Sequence, residues 1–383
     1  MFGALLTPER LSLTRGCSAA LPREAARFGT RAALVHSASL PKARLHPMFD
    51  GLTAAGITVQ GYASSGEPDF AGLTAALHHL KPFDPDLLIA VGGGATIDLA
   101  KAIAALLPAT GDLLRHFEIV GAGAPLEAAP LPMIALPTTA GTGAEATKNA
   151  VIAFPDHRLK VSLRDDRMIP RLALVDPALT DGCPRSVTLA SGFDALTQVI
   201  EPYLCARATA LTDALCRDAI PRAIPALRRL KEGEDPQARD EMARVSLFGG
   251  IALANAGLGA VHGFAGPLGG QLGAAHGALC GRLLPEVLIE NRAALGADQS
   301  AMAARFGEVD HWLAEGLGAE AGAGFSALRA FADACGLPRL AALGLRSEAF
   351  AEAIRAAKSA SSMRANPVVL SDAALEAILI RAL

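Results

Sequence analysis

No stretch of the 383-residue sequence holds the roughly 18 uninterrupted apolar residues that a membrane-spanning helix needs. The apolar runs around Leu87–Val91 and Leu131–Leu136 have only strand length and end in Gly or Pro. The N-terminus carries Glu9 and Arg10 rather than a signal-peptide pattern, so a cytoplasmic protein with no membrane partner is expected. An excess of one charge is missing too. The 35 Lys+Arg and 38 Asp+Glu leave a formal net charge of −3, and no long basic or acidic run points to nucleic acid. The six cysteines include no C-x-x-C pair and no short disulfide framework, and they read as buried, reduced thiols. Repeats of 20 to 50 residues and low-complexity linkers are absent as well.

What is present is a chain with 51% hydrophobic and 19% charged residues, which excludes disorder and a collagen-like fibre. Its length suits two domains, each with its own core. Residues 1–180 alternate strand-like runs with helical stretches: Ala32–Val35, Thr58–Tyr62, Leu87–Val91 and Leu131–Leu136 read as strands, and Leu45–Ala55 and Phe70–Leu80 as helices. Leu87–Val91 is too apolar to have a wet face, as in a parallel sheet covered on both sides. After a break at Asp176–Pro184, residues 181–383 carry helical periodicity almost throughout. The expectation is an α/β plus all-α chain, a Rossmann-like parallel-sheet domain followed by a helical domain.

Two strand ends carry candidate chemistry. Leu87–Val91 runs into Gly92, Gly93, Gly94 and Ala95, and then into a helical stretch containing Asp98. Glycines there let backbone approach a pyrophosphate, with helix N–H groups behind them. Leu131–Leu136 ends in PTTAGTGAE, where Thr138, Thr139 and Thr142 offer hydroxyls without bulk. The same segment also reads as a helix cap, Glu145 following Thr142 by three residues. In the helical half, Asp194 and Gln198 stand four apart on one helix face, and His262 and His276 flank a Gly-rich stretch. Such oxygen and nitrogen donors suit zinc or iron. Each histidine alone is equally an ordinary hydrogen-bonded residue.

Taken together, the motifs resemble the iron-containing (group III) alcohol dehydrogenase family, related to glycerol dehydrogenase and dehydroquinate synthase. They are GGGATIDLAK (92–101), PTTAGTGAE (137–145), Lys160 before LVDP (174–177), FDALTQVIEPYL (193–204), HGFAGPLGG (262–270), HGALC (276–280) and NPVVLS (366–371), in the family's order. The resemblance implies a dehydroquinate synthase-like architecture with NAD or NADP in the cleft between the domains. The pyrophosphate would lie on Gly92, Gly93, Gly94 and Ala95, and Asp98, Thr138, Thr139, Thr142 and Lys160 would touch the cofactor. It implies hydride transfer to or from a small alcohol, aldehyde or ketone, with the carbonyl polarised by a divalent metal on Asp194, His262 and His276. Asn149 and Phe264 would line the substrate pocket, and a homodimer or larger homo-oligomer is implied, with a short strand near Leu11–Thr14 able to pair across subunits.

Three departures from the family pattern matter. Gln198 stands where the family has a second metal ligand, a histidine. Gly266 replaces a histidine near the substrate, which enlarges the pocket. Ser37, after His36, stands where an acidic residue would hold the adenosine ribose, so a 2′-phosphate is not repelled and NADPH is expected to be accepted. The departures keep two other readings open: a metal-independent reductase resembling maleylacetate reductase, and a non-catalytic cofactor-binding member. A lyase similar to dehydroquinate synthase would need a basic cluster for a substrate phosphate, and the motifs offer only Lys101, Lys148, Lys160 and Arg164.

Overall fold

The computed structural model describes residues 5–383. One compact unit comprises Leu6–Thr139 with Gly143–Asp181, the other Ala140–Thr142 with Gly182–Leu383. In the first, the chain forms β1 (Arg10–Leu13), α1 (Leu21–Ala25), β2 (Arg31–Ser37), α2 (Lys42–Ala54), β3 (Thr58–Ser64), α3 (Phe70–Leu80), β4 (Leu87–Gly92), α4 (Gly94–Leu106), β5 (Met133–Pro137), β6 (Asn149–Phe154), β7 (Leu159–Arg164) and β8 (Leu172–Val175). Six strands make a parallel sheet in the order β1-β8-β5-β4-β2-β3, and β6 and β7 form a separate antiparallel hairpin. The expected N-terminal strand therefore pairs with β8 of its own chain, at the sheet edge.

Side-chain alternation explains why both faces of this sheet are dry. Along β2 and β4, Ala33, Val35, Leu88 and Ala90 pack under α3, α4 and the hairpin, while Ala32, Leu34, Leu87, Ile89 and Val91 pack over α1 and α2. Because the strands are parallel, their carboxyl ends share one side. The chain steps outward from β2 to β3 and returns to β4 on the opposite side of β2, which puts a topological switch point between β2 and β4.

A buried ion cluster ties α4 to the hairpin. Lys101 is 1% exposed and donates to Thr147 Oγ1 at 2.8 Å and the Asn149 carbonyl at 2.5 Å, with Asp98 Oδ1 at 3.1 Å. Asp98 in turn accepts the Val151 N–H at 3.0 Å. Burial lowers the Lys101 pKa, and Asp98 and Glu145 oppose that. Burial likewise pushes the Glu145 carboxyl up to about 7, against hydrogen bonding to its own backbone and the attraction of Lys101. Between the ordinary value of 4.5 and about 7 the folded chain thus holds a proton that the unfolded chain has released. The stabilisation is complete below 4.5 and is lost as pH rises through about 7. Urea unfolding at about pH 5 and about pH 8 is expected to show this fall, and Glu145→Gln to flatten it.

The second unit contains α5 (Arg185–Leu204), α6 (Ala210–Glu232), α7 (Pro236–Asn255), α8 (Ala260–Leu272), α9 (His276–Ala293), α10 (Ser300–Leu317), α11 (Gly324–Ala334), α12 (Phe350–Ser359) and α13 (Asp372–Ala382) around one apolar core. The Gly-rich stretch that begins at His262 lies in the helix α8. Val261, Phe264, Ala265 and Leu268 bury one face of it, and partners from distant segments finish its first turn. The Ala260 N–H donates to Asn366 Oδ1 at 3.0 Å and the Val261 N–H to Glu201 Oε1 at 2.7 Å. Among the described residues no single helix is long and apolar enough to cross a membrane.

Helix α9 approaches α5 closely because it lacks side chains at two positions one turn apart. A Cβ on Gly277 would lie 2.2 Å from the Ala190 carbonyl oxygen, and one on Gly281 would lie 2.7 Å from Phe193 Cβ. At Gly266, by contrast, a Cβ meets nothing within 4 Å. Gly277→Ala is therefore expected to destabilise the protein by roughly 1–3 kcal/mol. Gly266→Ala should stabilise it by roughly 0.5–1 kcal/mol, since alanine holds a helix interior better than glycine. Paired urea unfolding curves check both signs.

Candidate cofactor loops and metal centre

At the carboxyl ends of adjacent strands β4 and β5 the two expected loops meet. Gly92 pairs in register with Pro137, the Thr138 N–H donates to the Gly92 carbonyl at 2.9 Å, and a Cβ on Gly93 would stand 3.1 Å from Thr139 Oγ1. Gly92 must be glycine for local reasons, because its Cβ would fall 2.5 Å from that of Thr96. Gly93 caps α4 without a side-chain hydrogen bond, so the first turn, beginning at Gly94 and Ala95, presents the positive end of a 13-residue helix. Ser37 closes β2 on the other side of the switch point and holds the Ser39 hydroxyl at 2.8 Å.

Other expected cofactor residues have protein partners. Asp98 serves Lys101 and the Val151 amide, and the Lys160 ammonium pairs with Glu67. Asn149 opens β6 and gives its carbonyl to Lys101. The segment after Thr142 forms a short 3₁₀ turn, Ala144–Ala146, capped by Gly143 in the left-handed region at φ 57° with no side-chain cap hydrogen bond. The N-cap of this turn is Gly143 rather than Thr142, and Glu145 is buried in the cluster with Lys101.

In the helical unit, α5, α8 and α9 bring together Asp194, His262, His276 and Cys280, with one donor atom of each within 4.8 Å of all the others. His262 Nε2 lies 3.5 Å from Asp194 Oδ1 and 3.8 Å from Cys280 Sγ. His276 Nε2 lies 3.9 Å from the same carboxylate oxygen and 3.6 Å from the same sulfur. Glu201 fixes the His262 ring, accepting its Nδ1–H at 2.6 Å with one oxygen while the other takes the Val261 amide. That leaves Nε2 as the donor facing the centre.

Asp194 is 2% exposed, and its Oδ1 is buried without a hydrogen bond. Burial opposes charge on Asp194 and both histidines, yet the Cys280 sulfur, Asp194 and Glu201 hold His262 well above the usual histidine range. Burial is likewise outweighed at His276, which Cys280 and Asp194 raise to about 8. The Asp194 carboxyl is held low by both histidines in spite of its burial. The centre therefore favours positive charge, which protons supply or a cation supplies with their release. An orphaned carboxylate oxygen, two imidazole nitrogens and a sulfur fit a divalent transition metal.

Gln198, one turn after Asp194, donates its amide N–H to the Gly141 carbonyl at 3.0 Å, which engages its nitrogen and not the oxygen that a cation would bind. One expectation for this unit needs correction. Phe264 has no accessible surface and belongs to the apolar core, because its face of α8 packs inward. Gly266 sits on the open side of the same helix. The sequence reading missed Cys280 and Glu201. The former stands four residues after His276 and the latter seven after Asp194, spacings that share a helix face with a known candidate.

The chain matches the model of iron-containing alcohol dehydrogenase over residues 8–177 and that of the C-terminal region of the Fe-containing alcohol dehydrogenase family over residues 188–383. It is 41% identical over 204 residues to long-chain-alcohol dehydrogenase 1 of Geobacillus thermodenitrificans, covering 53% of this chain and 51% of that one. It is also 41% identical over 208 residues to lactaldehyde reductase of Escherichia coli, covering 54% and 53%. These matches span about half the length of the curated relatives. Over 100% of both chains, the fold resembles 1,3-propanediol oxidoreductase with a TM-score of 0.88 at 28% identity. For an alcohol dehydrogenase from Oenococcus oeni the TM-score is 0.89 at 26% identity, again over 100% of both chains.

Proposed function

Since the chain belongs to the iron-containing alcohol dehydrogenase family, we propose that it interconverts a small alcohol and its aldehyde or ketone by hydride transfer with NAD(P). The observation that carries this reading is the unpartnered Asp194 Oδ1 facing two imidazoles and a thiol in a buried site. When bound, the dinucleotide exchanges hydride at its nicotinamide and a divalent iron or zinc supplies Lewis acidity to the carbonyl oxygen. Asp194, His262 and His276 hold the cation, and Glu201 keeps His262 in the tautomer that presents Nε2. Gly92, Gly93, Gly94 and Ala95 let the pyrophosphate reach the α4 N-terminus, and Thr138, Thr139 and Thr142 offer hydroxyls to phosphate and ribose. Asp98 and Lys160 belong to the cofactor side of this reading, and Asn149 and Gly266 to the substrate side.

Ser37 puts no negative charge at the end of β2, so NADPH is accepted alongside NADH. With no imidazole at Gly266, a water chain or the ribose hydroxyl carries the proton that follows hydride transfer. The edge position of β1, where Leu11 is 41% exposed, supports a homo-oligomer. A cytoplasmic location completes the reading.

Purified protein is expected to oxidise NADPH with a short aldehyde and to lose that turnover on metal stripping. Undiminished turnover in excess chelator would favour the metal-independent reductase, and absence of dinucleotide binding at millimolar levels would overturn the proposal.

A further inference from the structure

We propose that Cys280 is a direct thiolate ligand of the metal centre, completing a carboxylate–imidazole–imidazole–thiolate set that selects zinc over iron. This deepens the proposed function and rests on its metal-dependent reading.

Cys280 has no accessible surface and follows His276 by one turn of α9, so both side chains leave the same face of the helix. Gly277 and Gly281 bracket it and bring that face against α5, which carries Asp194. Ordinary bond lengths give a tetrahedral site ligand-to-ligand edges of roughly 3.6 Å between sulfur and nitrogen and roughly 3.3 Å between nitrogen and oxygen. The observed edges are 3.6 and 3.8 Å for the first kind and 3.5 and 3.9 Å for the second. Small side-chain shifts close them onto one cation.

Distances alone also suit a thiol merely hydrogen-bonded to a histidine. That arrangement would leave Asp194 Oδ1 buried with nothing bonded to it, whereas a shared cation satisfies the oxygen, both nitrogens and the sulfur at once. Gln198 offers at most a neutral amide oxygen, a weaker donor than a thiolate, and its amide nitrogen is bonded to the Gly141 carbonyl. Among the described residues no second group of His, Cys, Asp and Glu converges in this way.

The donor chemistry decides the metal. A thiolate is a softer ligand than an imidazole and favours zinc. Two anionic ligands also neutralise a dication, whereas one carboxylate with three imidazoles leaves a net positive charge.

The test uses the full chain, stripped of metal and reloaded with Co(II), whose thiolate complexes show a near-ultraviolet charge-transfer band. One equivalent of cobalt is expected to produce that band. Cys280→Ser should abolish it and weaken zinc binding by at least about 100-fold, while Gln198→Ala keeps the band. In anaerobic competition between equal zinc and Fe(II), zinc should be recovered with the protein. Stoichiometric cobalt binding without the band in the wild-type chain, which needs no variant to fold, would overturn the thiolate ligand while leaving a metal site intact. Recovery of Fe(II) in preference to zinc would overturn the selectivity. Failure of zinc, cobalt and Fe(II) all to bind would instead defeat the metal-dependent function itself.

Discussion

Replacement of Asp194 by Asn is expected to lower bound metal to below about a tenth of an equivalent and to slow turnover by about 10³-fold, corresponding to about 4 kcal/mol of lost transition-state stabilisation. The change is nearly isosteric, so packing survives. It replaces an anionic donor by a neutral amide at the oxygen that stands 3.5 Å from His262 Nε2 and 3.9 Å from His276 Nε2. Dinucleotide affinity should hardly change, since the Gly92–Gly94 and Thr138–Thr139 backbone belongs to the other compact unit. Elemental analysis and NADPH fluorescence titration measure the two quantities separately. Full metal occupancy in the variant would remove Asp194 from the centre.

Lys101→Met carries the largest expected cost in stability, roughly 3–5 kcal/mol, because it leaves partners of a buried charge without compensation. Asp98 and Glu145 lose their cation, and the Thr147 hydroxyl and Asn149 carbonyl lose a donor. Methionine fills a comparable volume, so the loss reports charge and hydrogen bonding rather than a cavity. Adding Glu145→Gln should recover part of it, as neighbouring members of one network are not additive. Urea unfolding of the two single variants and the double variant gives the coupling. Strictly additive losses would show that Lys101 and Glu145 do not share a cluster.

Much of the helical unit was legible because apolar residues at 3.6-residue spacing dictate a buried stripe. The helical periodicity read over residues 181–383 is realised in helices such as Arg185–Leu204 and Pro236–Asn255. Helix α8 escaped because Gly263, Gly266, Pro267, Gly269 and Gly270 argue locally against a helix. Its capping by Asn366 and Glu201 and the burial of Phe264 come from residues far away in sequence. The hairpin of β6 and β7 was missed for a similar reason. Its inner residues Ile152 and Val161 are bound by packing against α4, and Phe154 by its stack on Phe70 at 5.2 Å.

The sequence by itself determined the order of parallel-sheet and helical halves and the glycine and threonine loops at strand ends, through local rules of periodicity and turn chemistry. That Asp194, His262 and His276 form one site was implied by the resemblance of the motifs to the family. Tertiary structure alone decided that Cys280 joins the three, that Glu201 orients His262, that Gln198 turns to Gly141, and that Phe264 is core. Each of these depends on which helix faces meet and how closely, and that distance is set by the missing side chains of Gly277 and Gly281 against α5.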